Sequence, residues 1–479
     1  MARLFGSILL RGAVLALGTA ALGASARSCT LPHGAAGTYE AEDAVLTGTS
    51  VDTAQAGYTG AGYVTGFDAS GDKITFHVDS SSVALFDLSI RAAAVYGDKR
   101  TTVVLNGGAS SEVFLAAGTA FATVAAGQVL LTTGTNTIDV VSNWGWYLID
   151  SITLAPAAVR DPAHAGVVAA PVNSAPSAGA TALYRYLRSI YGRKILAGQQ
   201  DLEWADWVAA QTGGRAPALV SVDLMDYSPS RVERGTVGTA VEDALAHHAR
   251  GGIVSVLWHW NAPAGLYDTE ENRWWSGFYT RATDFDVAAA LADVAGANYT
   301  LLLRDVDAVA AQLKRLQAAG VPVLWRPLHE AEGGWFWWGA KGPEAAKQLY
   351  ALLYERLTVF HGLDNLLWVW NSVAPEWYPG DATVDIVSAD VYAQGNGPMS
   401  TQYNQLVDLG RDSKMIAAAE VGAAPLPDLL QAYGAHWLWF AVWGDNFVNG
   451  PDWNSLDTLK KVYSSDYVLT LDEIQGWQG

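Results

Sequence analysis

At 479 residues, half of them hydrophobic, the chain is long enough for about two to three domains and for a large buried core. Its formal net charge of -19 argues against nucleic acid or an anionic membrane surface as a partner and fits an uncharged ligand or substrate. Twenty Trp and twenty Tyr are a heavy aromatic load, which leaves two explanations: polysaccharide binding, or an unusually aromatic core.

The chain opens with MARLFGSILLRGAVLALGTAALGASARS, which combines early arginines, an apolar run and the small-residue site Ala24-Ser25-Ala26. This reads as a secretory signal peptide over residues 1–26, cleaved near Ala26, and predicts a secreted, extracellular protein. Arg11 interrupts the apolar run, whereas a membrane anchor needs about 20 uninterrupted apolar residues, and no later stretch qualifies as a transmembrane helix. The only cysteine is Cys29, so no intrachain disulfide is available. Asn298-Tyr299-Thr300 is an acceptor sequon, expected on a glycosylated loop.

From Thr38 to Leu154 short alternating runs are separated by Gly, Asn and Asp turns: Lys73 to Val78, Ala84 to Ala92, Thr101 to Leu105, Asn136 to Val141 and Tyr147 to Leu154. The spacing predicts a small antiparallel β-sandwich of jelly-roll type over residues 36–156. Residues 157–178, rich in Ala, Pro, Gly and Ser, are expected to be a linker.

After Gly179 continuous apolar strands alternate with helical segments. Eight strands are predicted: Lys194 to Gly198, Ala218 to Asp223, Gly252 to Trp260, Val321 to His329, Leu366 to Asn371, Asp385 to Tyr392, Met415 to Glu420 and Trp437 to Trp443. Helical patterns between them include Thr239 to Arg250, Val306 to Ala319, Glu344 to Phe360, Thr401 to Leu409 and Leu426 to Tyr433. The fold class is therefore α/β, a (β/α)8 TIM barrel over residues 179–479. A doubly wound open sheet is the alternative, but no glycine-rich phosphate loop follows any strand.

Barrel enzymes keep their working residues at the carboxyl ends of the strands. Here the third strand ends in Trp258-His259-Trp260-Asn261, the fourth in Arg326, His329 and Glu330, and the fifth in Trp370-Asn371. The sixth ends in Asp390 and Tyr392, the seventh in Glu420, and the eighth in Trp443 and Asp445. Strands four and seven face each other across the mouth, so Glu330 and Glu420 can flank one glycosidic bond. A separation of about 5 to 5.5 Å would support retaining hydrolysis. Glu330, delivered into the aromatic stretch Trp335 to Trp338, is expected to be the protonated acid; Glu420, within reach of Tyr392, the ionised nucleophile. Glu332 is a rival acid, set past the strand end.

The run RPLHE followed by GGWFWWG, with WHW about seventy residues earlier and a glutamate ending a later strand, resembles glycoside hydrolase family 26, chiefly endo-β-1,4-mannanases. The resemblance implies Glu330 as acid/base and Glu420 as nucleophile, with His259, His329, Trp335, Tyr392 and Trp443 lining the subsite of the attacked sugar, and no cofactor for catalysis. Where that family often has Met-Asn after the acid/base, this chain has Ala331-Glu332. Trp274 and Trp275, in the insert after strand three, are either a distant sugar platform or a hydrophobic plug. Tyr39-Glu40-Ala41-Glu42, Gly57-Tyr58-Thr59-Gly60 and Trp144-Gly145-Trp146 before Ile149-Asp150 are similar to carbohydrate-binding module family 35. That likeness implies a structural calcium held by Glu40, Glu42 and Asp150, for which hard oxygen ligands are suited. Asn143, Trp144 and Trp146, expected on a loop, are candidate sugar contacts of the module or else its buried cap.

The leading expectation is thus a secreted, monomeric, retaining endo-β-1,4-mannanase acting on a mannan-type polysaccharide, with no nucleic-acid or membrane partner. The alternatives are a β-1,3-xylanase or mixed-linkage β-glucanase with the same machinery, and a non-catalytic polysaccharide-binding protein on an inactive barrel.

Overall fold

The computed structural model describes residues 35–108, 110–157, 166–411, 413–474 and 476–478; the expected signal segment of residues 1–26 and Cys29 lie outside the described residues. Residues 37–156 form two antiparallel sheets, of six and five strands, that enclose a core of their own. Strict alternation builds it. Along Lys73–Ser80 the residues Ile74, Phe76, Val78 and Ser80 are buried while those between point outward. In the same core Phe67 stacks on Tyr147 at 4.5 Å between ring centroids, and the buried Tyr147 hydroxyl donates to Thr101 Oγ1 at 2.9 Å. Asn143 and Trp144 are not in a loop as expected: they end the strand Gly134–Trp144. Only Trp146 sits in the turn beyond it, with φ of 69°.

The C-terminal part closes into a parallel barrel of Ile195–Gln200, Leu219–Asp223, Ile253–Leu257, Val323–Arg326, Leu366–Asn371, Ile386–Val391, Met415–Val421 and Trp439–Val442. The first of these strands pairs with both the second and the eighth, and a short strand Val468–Leu469 adds to it. Helices cover the outside, so the strands are buried on both faces and read as unbroken apolar runs. Nine of the twenty tryptophans, Trp258, Trp325 and Trp439 among them, are less than 2 % exposed. Much of the aromatic load is therefore core.

The fourth strand is shorter than its apolar run suggested. Pro327 offers no N–H to the ladder, and Leu328 and Glu330 take left-handed φ values of 53° and 54°, so the chain winds out of the sheet after Arg326. Glu330 consequently stands on a turn above the barrel mouth. The helix expected from Val306 begins earlier, as Ala297–Ala318, and so takes in the sequon: Asn298 is exposed in its first turn rather than on a loop. Of the expected linker, residues 166–177 lie packed on the barrel. Val167 is buried, Val172 N donates to Asp385 Oδ1 at 2.7 Å, and Ser177 caps the helix Ala178–Ile190. The sandwich also touches the barrel, where Leu130 N donates to the Tyr433 hydroxyl at 2.7 Å. Among the described residues no helix is long and apolar enough to cross a membrane.

Candidate active site

The site is assembled on Arg326, the last residue of the fourth strand, whose side chain is 1 % exposed. Its Nη2 donates to Glu420 Oε2 at 2.7 Å and its Nη1 to Asp390 Oδ2. A bulge makes this double contact reachable. On the sixth and seventh strands Ala389 pairs with Ala418, but Asp390 pairs with Glu420, so Ala419 is an extra residue that brings the two carboxylates level. Burial alone would depress the guanidinium, but Asp390 and Glu420 hold it above its ordinary range. Asn371 ties the group to the fifth strand: its Nδ2 donates to Asp390 Oδ1 at 2.8 Å, and its Oδ1 accepts from Glu330 N at 3.0 Å.

Glu330 and Glu420 are thereby brought together. Carboxylate oxygens of Glu330, Asp390 and Glu420 all lie within 4.8 Å of one another. Such a group has the donors for a metal ion, but Arg326 already supplies the cation to two of its members. The two glutamates differ in surroundings. Burial, reinforced by the nearby Glu420 charge, pushes Glu330 up to about 7. Trp335 Nε1 donates to Glu330 Oε2 at 2.9 Å, which leaves Oε1 as the oxygen to carry a proton. Glu420 accepts from Arg326 on one oxygen and from the Tyr392 hydroxyl on the other. Burial and the Glu420 carboxylate raise the Tyr392 phenol, so it stays a donor.

A second chain of contacts runs from the second strand. Asp223 Oδ2 lies 2.7 Å from His259 Nδ1, and its Oδ1 accepts from His259 N at 3.0 Å. His259 Nε2 then meets His329 Nε2 at 3.1 Å. Burial opposes charge on both rings; Asp223 nonetheless raises His259, whereas burial and the neighbouring His259 take His329 well below its usual range. The shared proton therefore belongs on His259 Nε2, with His329 accepting it.

Several expected contacts change role in this geometry. The His329 residue is 0 % exposed and the Asp390 side chain 1 % exposed, and each is engaged by a neighbour: His329 holds His259, and Asp390 anchors Arg326. Of the four aromatics at Trp335 to Trp338 only Trp335, 49 % exposed, faces the opening, because Phe336, Trp337 and Trp338 pack into the core. Tyr392 is open to the site, and Trp443, half-buried, lies with its ring 5.9 Å from that of His259. Glu332 turns to Ser372 and Val373 in the loop after the fifth strand, outside the carboxylate group, which removes it as a rival acid. Trp274 is half-buried beneath Arg234, whose guanidinium lies 5.3 Å over its ring, while Trp275 is exposed. Arg326, Asn371 and Asp223 were visible only as polar residues at or near predicted strand ends, and Asp223 was not singled out, since their work depends on partners from other strands. Tyr279 was also unforeseen. The insert carrying it bridges to Phe336, stacks on that ring at 5.6 Å, and brings its phenol into the field of Glu330 and Glu420.

In the sandwich, Glu40, Glu42 and Asp150 converge on the loop Gly57 to Gly62. The Thr59 hydroxyl lies 2.9 Å from both Glu40 Oε2 and Asp150 Oδ2, with one hydrogen to give between them, and Glu42 Oε1 accepts from Ala61 N and Gly62 N. Arg91 pairs with Asp150. Glu42 Oε2 is buried without a hydrogen-bond partner, and Glu40 is raised by its burial, with the Glu42 and Asp150 charges adding to the effect. Three carboxylates against one guanidinium, with an orphaned oxygen, suit a hard divalent cation. Trp144 and Trp146 are 57 % and 60 % exposed, which removes the buried-cap alternative for them.

Comparison with known proteins adds to this geometry. The profile of Glycosyl hydrolase family 26 matches residues 172–473, and that of Carbohydrate binding module (family 35) matches residues 37–157. The chain is 74% identical over 447 residues to a mannan endo-1,4-beta-mannosidase of Thermothelomyces thermophilus, covering 93% of this chain and 92% of that one. It is 32% identical over 450 residues to mannan endo-1,4-beta-mannosidase A of Piromyces sp, covering 91% and 72%. Among solved structures, the GH26-CBM35 beta-(1,4)-mannanase of Podospora anserina superposes with a TM-score of 0.69 at 72% identity, covering 93% of this chain and all of that one.

Proposed function

Because the chain belongs to glycosyl hydrolase family 26, we propose that it is an endo-acting β-1,4-mannanase that cleaves mannan-type polysaccharide with retention of configuration. The observation that carries this reading is the pair Glu330 and Glu420, with oxygens within 4.8 Å and one member pushed up to about 7. The spacing agrees with the about 5 to 5.5 Å of retaining pairs and falls short of the about 6.5 to 9.5 Å that inversion needs to admit a water.

In the first step a Glu420 oxygen attacks the anomeric carbon while the glycosidic C–O bond breaks and Glu330 gives its proton to the leaving oxygen. A glycosyl ester on Glu420 results. Glu330, now ionised, takes a proton from a water that attacks the same carbon, which releases the sugar and restores both carboxyl groups. Arg326 and Tyr392 hold Glu420 by both oxygens and so fix the direction of its attack. Trp335, beside Glu330, offers a flat face to a sugar ring.

The protein is secreted on this reading, as the N-terminal pattern suggests. Glu40, Glu42 and Asp150 hold a structural calcium in the module, where the ion would neutralise their charges and occupy the orphaned Glu42 Oε2. The test of mechanism is to follow the anomeric configuration by NMR during digestion of mannopentaose. A first-formed β-anomer is expected; an initial α-anomer would overturn retention.

A further inference from the structure

One cleft lies not inside either unit but between them. It has a volume of about 530 Å³ and runs between the edge of the sandwich and the loop that follows the sixth barrel strand. Thr102, Glu112 and Asn143 form its wall on the sandwich, and Tyr392, Gln394 and Trp453 form its wall on the barrel. Contacts between the units fix its width: Leu130 N donates to the Tyr433 hydroxyl at 2.7 Å, and Ser110 Oγ reaches Gln394 O at 3.5 Å.

The lining has a definite chemistry. Asn143 Nδ2 donates to Thr102 Oγ1 at 3.1 Å and to Glu112 Oε2 at 3.0 Å, so an amide, a hydroxyl and a carboxylate are held as one polar strip. Opposite it stand the rings of Tyr392 and Trp453, 6.4 Å apart and nearly perpendicular. A row of donors and acceptors facing aromatic rings suits a sugar, whose hydroxyls and C–H faces require both. The volume lies within the about 300–1,000 Å³ usual for ligand clefts. Tyr392 stands on the wall of the cleft and donates its hydroxyl to Glu420, so the cleft adjoins the catalytic site across that one residue.

We infer that this cleft binds a stretch of the same uncharged β-linked polysaccharide that the barrel cuts, which makes the sandwich an outlying wall of the catalytic groove as well as an anchor. The inference rests on the glycosidase reading above. Two substitutions on the sandwich test it in the full chain: Glu112→Ala, which removes part of the polar strip, and Ser111→Trp, which fills the cleft. Each should raise KM for polymeric mannan about three- to tenfold, the worth of one or two hydrogen bonds, while the hydrolysis of mannotetraose stays at the level of the unaltered protein. Unaltered mannotetraose kinetics also reports that the barrel is intact. Equal loss on both substrates, or no change on mannan, would overturn the role of the cleft. Failure of the unaltered protein to hydrolyse any mannan would instead remove the catalytic reading beneath it.

Discussion

Arg326 Nη2 lies 2.7 Å from Glu420 Oε2 in a position where the guanidinium is 1 % exposed and the glutamate side chain 7 %. So enclosed a pair has shed most of its hydration, and its attraction is only weakly screened. Arg326 also serves Asp390, so one cation secures two carboxylates while Glu330 is left to carry the proton.

Replacing Arg326 by methionine should therefore cost about 3–5 kcal/mol of stability, because two buried carboxylates lose their shared partner. Urea unfolding at pH 7 measures it. A loss below about 1 kcal/mol would mean that Asp390 and Glu420 are not held by this charge.

Glu420→Gln keeps the shape and the Tyr392 contact but removes the attacking charge. Mannan hydrolysis should fall about 10⁴- to 10⁶-fold, in line with the loss of a nucleophile elsewhere. Retained activity would remove Glu420 from that role.

Glu330 must be protonated to act as an acid, and its carboxyl is pushed up to about 7, so kcat/KM should decline as pH rises through that value. Stability follows the same sign. The folded value lies above the unfolded one of about 4.3, so the ionised form is disfavoured in the fold and stability is lost between about pH 4.3 and 7. Glu330→Gln should be more heat-stable than the unaltered protein at pH 8 and should lose that advantage at pH 4, as read by calorimetry.

Asp223→Asn removes the acceptor that raises His259 and fixes its Nδ1 proton. About a 10- to 100-fold loss in kcat/KM is expected, the worth of one charge-assisted hydrogen bond. The histidine should also titrate at lower pH, a shift that NMR of its ring protons detects and that loss of packing alone would not produce.

Chelation of calcium should lower the melting transition of the sandwich and leave that of the barrel in place, and Glu42→Ala should make the protein insensitive to chelator. Identical calorimetric traces with and without chelator would exclude the ion.

The amino-acid sequence determined the architecture by itself, because periodicity is local: Lys73–Ser80 alternates, and Leu366–Asn371 is apolar throughout, whatever its neighbours. It also determined that Glu330 and Glu420 are the acid and nucleophile to consider, since polar residues ending apolar strands can be read off one position at a time. Tertiary structure alone decided which of those residues touch. The extra residue Ala419 sets Glu420 level with Asp390, the left-handed turns at Leu328 and Glu330 lift the acid above the sheet, and Asp223 meets His259 from 36 positions away. The docking of the sandwich beside Tyr392 belongs to the same class. Contacts of this kind depend on where separate strands end in space, and a register shift or a turn moves those ends without leaving a period in the sequence.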